Sequence, residues 1–97
     1  MIIAELAIFP TSEGASVSRF VKEAVRVIEA SGLKCDTGGM STVIEAPDLA
    51  SLFRVIGQAD EAMVKMGVKR INTDLRIDHR LDKEATIESK LKAIGKR

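Results

Sequence analysis

Two acidic residues interrupt apolar segments of the sequence and are the first candidates for chemistry. Glu5 lies within the apolar segment 2–9, and Glu45 lies near the end of the segment 41–46. A carboxylate in a partly dry setting is costly unless a cation joins it. The two carboxylates therefore predict either a site for a small cationic ligand or a cross-strand ion pair with Arg76.

A run of small and hydroxyl-bearing residues, Gly38-Gly39-Met40-Ser41-Thr42, predicts the tip of a β-hairpin. Glycine lets a ligand approach the backbone closely, and the hydroxyls and free N–H groups can orient its polar edges. Met40 and Phe9 would supply apolar contact. The alternative is a turn that only requires positive φ at its glycines.

Residue patterns typical of catalysis or of metal binding are missing from the sequence. The only histidine is His79, the only cysteine is Cys35, and no Cys/His spacing matches a metal site. No Gly-x-Ser-x-Gly motif and no evident acid–base pair occurs. We predict a protein without catalytic residues, metal or cofactor, and keep a small enzyme that uses His79 and Arg80 as an alternative.

The composition narrows the classes of partner. The chain has 97 residues, which predicts one domain over 1–97, and its formal net charge is +1. Such a charge, with three Phe and no Tyr or Trp, argues against nucleic acid as a partner. No apolar stretch is long enough for a membrane span, and no basic segment of a signal peptide precedes Glu5. We therefore expect a cytoplasmic protein.

Hydrophobic periodicity predicts the elements that position these residues. Strands are expected over 2–9, 33–37, 41–46 and 71–78, and the order βαββαβ with a further C-terminal helix follows. This order predicts an α+β, ferredoxin-like sandwich with a four-stranded antiparallel sheet and an extra C-terminal helix. The expected helix caps are Ser16, Asp48 and Asp82. The expected apolar faces are Val17, Phe20, Val21, Ala24 and Ile28 in the first helix, Leu49, Leu52, Phe53, Ile56, Ala59 and Met63 in the second, and Ile87, Leu91 and Ile94 in the last.

Alternation along the strands predicts which side chains lie on the sheet face that the first two helices leave uncovered. We call this surface the open face. It combines apolar and charged residues, and an exposed apolar patch commonly marks an interface. The sequence therefore predicts that another subunit covers the open face, as in a homo-oligomer. The expected members of the open face are Ile3, Glu5, Ala7, Phe9, Ser41, Val43, Glu45, Asn72, Asp74 and Arg76.

Three segments together resemble the thiamine-binding protein family, a YkoF-like group of small proteins long catalogued as conserved and uncharacterised. They are Ile2-Ile3-Ala4-Glu5-Leu6 with Pro10, Gly39-Met40-Ser41-Thr42-Val43-Ile44-Glu45, and the segment 70–78. The resemblance implies a ferredoxin-like domain, dimers assembled into a homotetramer, no known catalytic activity, and binding of thiamine or its hydroxymethylpyrimidine part. Matched residue by residue, it places Glu5, Gly39, Met40, Ser41, Thr42, Glu45, Asn72 and Asp74 at the ligand.

Two hypotheses from different classes follow. The first is a non-enzymatic binding protein for a small cationic heterocycle, thiamine or similar to hydroxymethylpyrimidine, with a site that oligomerisation completes. The expected ligand-binding residues are Glu5, Phe9, Gly38, Gly39, Met40, Ser41, Thr42, Glu45, Asn72 and Asp74. The alternative is a structural or regulatory assembly protein whose open face is only a subunit interface.

Overall fold

The elements of the fold follow the predicted order. A computed structural model describes residues 1–96 of the chain. It has four strands and three helices in this part of the chain: β1 (Ile2–Pro10), α1 (Ser18–Glu29), β2 (Cys35–Thr37), β3 (Thr42–Ala46), α2 (Leu49–Lys65), β4 (Ile71–His79) and α3 (Ile87–Ala93).

The strands form one antiparallel sheet with the spatial order β2-β3-β1-β4. This arrangement confirms the predicted α+β fold with its additional C-terminal helix. β1 pairs with β4 over all nine of its residues, but it pairs with β3 only from Ile2 to Leu6. The segment 7–10 of β1 therefore has a sheet partner on one side only.

The core lies between the sheet and the helices α1 and α2. Phe20, Ala24 and Ile28 of α1 are buried, as predicted. In α2 the buried positions are Leu52, Val55, Ala59 and Met63. The prediction for α2 was wrong at two positions, because Leu49 and Phe53 remain 37% and 50% exposed. The helix is rotated so that Val55 faces the sheet, which turns the flank that carries Leu49 and Phe53 outward.

The helix caps were predicted correctly only for α2. The Asp48 side chain accepts a hydrogen bond from the Ser51 N–H at 2.7 Å. Ser16 does not cap α1, whose N-cap position is Val17, without a side-chain hydrogen bond.

Thr86, not Asp82, caps α3. Thr86 and Ser89 satisfy each other's backbone N–H groups in a capping box, which requires a spacing of three residues. Asp82 lies too far upstream and instead accepts two hydrogen bonds from the Arg80 guanidinium.

α3 packs against the sheet face opposite α1 and α2. Ile3, Ala85 and Ile87 form a small buried cluster there, with Val43 and Leu91 packed against it. The chain itself therefore covers Ile3 and Val43, which the sequence placed on a surface left for another subunit. Ile94 was expected in the same seam but is 70% exposed, because the helix ends at Ala93.

An ion pair fastens α3 to β4. Lys90 Nζ lies 2.6 Å from Asp78 Oδ2, and the hydrogen bond from Lys90, followed by its charge, lowers the pKa of the Asp78 carboxyl. Because its pKa is lowered, ionised Asp78 stabilises the folded state above the unfolded-state pKa of about 3.9. This contribution is lost as the pH falls through the pKa of Asp78 in the folded state.

We expect Asp78→Asn to lower the free energy of unfolding at neutral pH, by a small amount because both side chains are about half exposed. The difference from the parent chain should disappear at low pH, where Asp78 is protonated. Urea unfolding of both chains between pH 7 and about pH 2 measures it. A difference that is the same at every pH would contradict this assignment.

Candidate functional site

The open face carries a polar cleft of about 550 Å³ between β1, β4 and the β2–β3 hairpin, which we call the sheet cleft. Two carboxylates, Glu5 and Asp74, and one guanidinium, Arg76, line it together with the Ser41 hydroxyl. The charge of the lining is therefore negative, which favours a cationic ligand.

Glu5 lies at the centre of the sheet, within the sheet cleft. In the registers of its two neighbours it stands opposite Val43 on β3 and opposite Arg76 on β4. The Ser41 hydroxyl donates a hydrogen bond to Glu5 Oε2 at 3.0 Å. The carboxylate is exposed and is held in place from the hairpin, as a ligand-binding group needs to be.

A second cleft of about 400 Å³ lies where the hairpin departs from β1, and we call it the hairpin cleft. It exists because β3 begins at Thr42 and leaves the 7–10 end of β1 unpaired on that side. The lining is mainly apolar and includes Phe9 and the segment 38–42. Met40, Ser41 and Asp74 line both clefts, so the hairpin tip stands between a charged surface and an apolar one.

The two glycines of the hairpin are not required by the conformation of the turn. Gly38 donates its N–H to the Ser41 carbonyl at 2.8 Å, but neither Gly38 nor Gly39 has a positive φ. A Cβ added at Gly39 would meet no atom within 4 Å, and one at Gly38 would make an ordinary contact with Ser41. The alternative that these glycines serve a turn with positive φ is therefore wrong.

We expect Gly39→Ala to leave the free energy of unfolding unchanged or to raise it by up to about 1 kcal/mol, because alanine restricts the unfolded chain. Gly67→Ala is the matched control. Gly67 has φ +86°, so alanine there should cost about 1 kcal/mol. Urea unfolding of both variants measures the contrast, and a loss of stability in Gly39→Ala would show that the turn needs glycine.

Six of the predicted site residues do not line the sheet cleft: Phe9, Gly38, Gly39 and Thr42 line the hairpin cleft, and Glu45 and Asn72 line neither. The Glu45 side chain is 5% exposed, and its Oε1 accepts the Ile87 N–H at the start of α3 at 2.5 Å. Thr42 is buried on the helix side of the sheet, opposite Leu6 of β1, and reaches only the hairpin cleft. Asn72 donates a hydrogen bond to Thr11 Oγ1 at 2.9 Å, near the start of β4.

Arg76 lines the sheet cleft, in agreement with its predicted place on the open face, although it was not predicted as a ligand-binding residue. The signal was available, since Arg76 lies two residues from Asp74 on a strand and therefore on the same face. What the sequence could not give was the register that sets Arg76 opposite Glu5.

The remaining candidates for chemistry lie elsewhere. Arg80 is engaged by Asp82, and His79 is the exposed last residue of β4. Burial, followed by the nearby charges of Glu29 and Asp36, raises the pKa of the Cys35 thiol. Within residues 1–96 no group of three or more His, Cys, Asp or Glu side chains could hold a metal ion. In the same range, no helix has the length and apolarity needed to cross a membrane.

A ferredoxin-like α+β domain with an acidic cleft on its sheet is the class of protein that these features define. The chain belongs to the thiamine-binding protein family, because the sequence model described as "Thiamine-binding protein" matches residues 4–95. The family that the sequence resembled is thereby confirmed.

Relatives and solved structures agree with this assignment. A UPF0045 protein of Methanocaldococcus jannaschii is 44% identical over 94 residues, which are 97% of this chain and 92% of that protein. The crystal structure of a hypothetical protein from the same organism superposes with a TM-score of 0.90 at 43% identity, covering 99% of this chain and 97% of the other. A putative thiamine biosynthesis/salvage protein from Thermotoga maritima has the same fold, with a TM-score of 0.81 at 19% identity, covering 96% and 97%.

Proposed function

We propose that the protein binds thiamine, or a heterocycle similar to its hydroxymethylpyrimidine part, without catalysing a reaction. The observation that carries the proposal is the sheet cleft, in which two carboxylates outnumber one guanidinium beside the hairpin tip. A thiazolium ring carries a permanent positive charge, and an aminopyrimidine offers N–H donors that a carboxylate can accept. Membership of the thiamine-binding protein family supports the same ligand class.

Each part of the site has a distinct role in this proposal. Glu5 and Asp74 offset the charge of the ligand, and the Ser41 hydroxyl keeps the Glu5 carboxylate in place. Met40 is 90% exposed at the hairpin tip, and Phe9 lines the adjacent hairpin cleft, so both can make apolar contact. The conformation of the turn does not require glycine at position 39. This supports the proposal that Gly39 lets a ligand approach the backbone closely.

We further propose that oligomerisation completes the site and that the assembly is a homotetramer in the cytoplasm. The cleft is a broad surface depression, whereas ligand pockets usually enclose most of a small molecule. A second copy placed over the open face would supply the missing wall. Symmetric self-association is the commonest way to cover such a surface.

Isothermal titration calorimetry of the full chain with thiamine and with hydroxymethylpyrimidine tests the proposal, and choline serves as a cation without a pyrimidine ring. We expect saturable heat with thiamine, weaker heat with hydroxymethylpyrimidine and none with choline. No heat and no thermal shift at millimolar thiamine would refute the ligand assignment. That result would favour the second candidate, an assembly protein. The exposed apolar residues of α2 also support this candidate.

A further inference from the structure

A groove of about 1240 Å³ runs along the outer side of α1 and α2, and we call it the helix groove. It lies on the opposite side of the sheet from the sheet cleft and has more than twice its volume, and the proposed function does not use it. Ligand sites are typically concave and mainly apolar, with a few polar groups. The apolar lining of the helix groove comes from half-buried side chains of both helices, namely Val21, Val25, Val27, Ala62 and Met66.

Gly57 is an exposed glycine in the interior of α2, and it lines the helix groove. Its φ is not positive, and a Cβ added to it would meet no atom within 4 Å. Glycine inside a helix is less favourable than alanine, so neither the helix nor its packing accounts for this residue. The missing side chain keeps the groove open at this point and lets another molecule approach the backbone of α2.

Positive charge collects at one end of the helix groove. β1 and β3 are antiparallel, and each helix runs back along the strand before it, so the start of α1 lies beside the end of α2. Arg19, Lys22 and Lys65 line the groove at this end, together with the single carboxylate Glu61. None of the three cations forms an ion pair in the described part of the chain. An anion bound among them would relieve their mutual repulsion.

The charges toward the other end of the groove cancel. Arg26 and Arg54 line it with Glu23 and Glu29, and Arg26 Nη2 lies 2.6 Å from Glu23 Oε1. The helix groove is therefore an apolar surface with one cationic end and one neutral end. A partner helix with acidic sides would need cations along the whole groove, whereas a molecule with one anionic head and an apolar chain needs them at one end only.

The length of the groove fits a single hydrocarbon chain. Its lining on α1 extends from Ser18 to Glu29. At a rise of about 1.5 Å per residue this stretch is about 16 Å long, close to half of the hydrocarbon core of a bilayer, which is about 30 Å thick. One leaflet of that core corresponds to one acyl chain.

We propose that the helix groove binds a single-chain anionic amphiphile of the fatty-acid class. The carboxylate lies between Lys22 and Lys65, and the chain follows the apolar lining past Gly57. Charge-assisted hydrogen bonds hold the head, and removal of apolar surface from water favours binding of the chain. This site is separate from the sheet cleft and does not depend on the proposed binding of thiamine.

Isothermal titration calorimetry of the full chain with dodecanoate, kept below its critical micelle concentration, tests the proposal. We expect saturable binding of one dodecanoate per chain. Butyrate has the same head without the long chain, and dodecyltrimethylammonium has the chain with a cationic head, so neither should bind at the same concentrations. No saturable heat with dodecanoate, or equal affinity for dodecyltrimethylammonium, would overturn the proposal.

Two variants locate the bound molecule. Gly57→Leu places a side chain in the groove and should abolish binding, while circular dichroism confirms that the variant is folded. Lys22→Glu combined with Lys65→Glu should raise the Kd of dodecanoate about tenfold or more. Lys83→Glu combined with Lys96→Glu is the matched control, because both residues flank α3 on the other side of the sheet and the change in charge is the same. Unchanged affinity in Gly57→Leu, or equal effects of the two double variants, would overturn the assignment.

An anionic membrane surface is the other source of the same chemistry. Vesicles of phosphatidylglycerol separate the two in a sedimentation assay. Binding of the chain to these vesicles without binding of monomeric dodecanoate would assign the cations to a lipid surface and overturn the proposal. Binding of dodecanoate that vesicles do not compete away would support a single chain held in the groove.

Discussion

Replacement of Glu5 by Gln should weaken thiamine binding about tenfold or more without changing the stability of the fold. Hydrogen bonds and ion contacts to a charged group are worth about 1.5–3 kcal/mol, and about 1.4 kcal/mol corresponds to a factor of ten in Kd. Glu5 is exposed in the sheet cleft and accepts a hydrogen bond from the Ser41 hydroxyl, which can also donate to a glutamine oxygen. Glu5→Gln should therefore lower the affinity for the ligand and leave the free energy of unfolding unchanged.

Calorimetric titration with thiamine, paired with urea unfolding, measures the two effects separately. Glu61→Gln is the matched control, because Glu61 lies on α2 beside the groove between the helices, away from the open face. It removes the same charge and should leave Kd unchanged. An equal affinity in Glu5→Gln and in the parent chain would exclude Glu5 from the site.

Glu45→Ala should lower the free energy of unfolding by about 2–3 kcal/mol. The Glu45 carboxylate accepts the buried Ile87 N–H at the N-terminus of α3. Its removal leaves that donor without a partner, at a cost of about 1–3 kcal/mol, and removes a negative charge from the positive end of a helix dipole. The small cluster that holds α3 against the sheet contains only three buried residues, so few apolar contacts remain to offset the lost hydrogen bond.

Glu45→Gln is the informative comparison, because the amide oxygen can still accept the Ile87 N–H while the charge is gone. We expect it to retain most of the stability that Glu45→Ala loses, as measured by urea unfolding. We also expect thiamine affinity in Glu45→Gln to stay close to that of the parent chain. A large loss of affinity there would return Glu45 to the ligand site, as the sequence motif predicted.

The sequence predicted the features that depend on local pattern. Strict alternation along β4 placed Asp74 and Arg76 on one face, and Asp48, which follows a proline, was identified as a helix cap. The periodicity of α1 gave its buried face. These features are encoded within a few residues of each other, where spacing alone determines which side chains share a surface.

The sequence could not predict the features that depend on distant packing. The backbone partner of Glu45 lies 42 residues away on α3, and no local pattern shows which sheet face a seven-residue helix will cover. The rotation of α2 that buries Val55 and exposes Phe53 is likewise set by packing against the sheet. The register between β1 and β4, which brings Arg76 opposite Glu5, is another long-range property.

The alternation of β1 has an evolutionary consequence. Leu6 and Ile8 belong to the core, whereas the intervening positions Glu5 and Ala7 line the sheet cleft. A substitution that reshapes the cleft therefore need not disturb the packing of the adjacent core position. The residues that line the cleft can therefore change while the scaffold stays constant, and the same fold is found in a Thermotoga maritima protein at 19% identity.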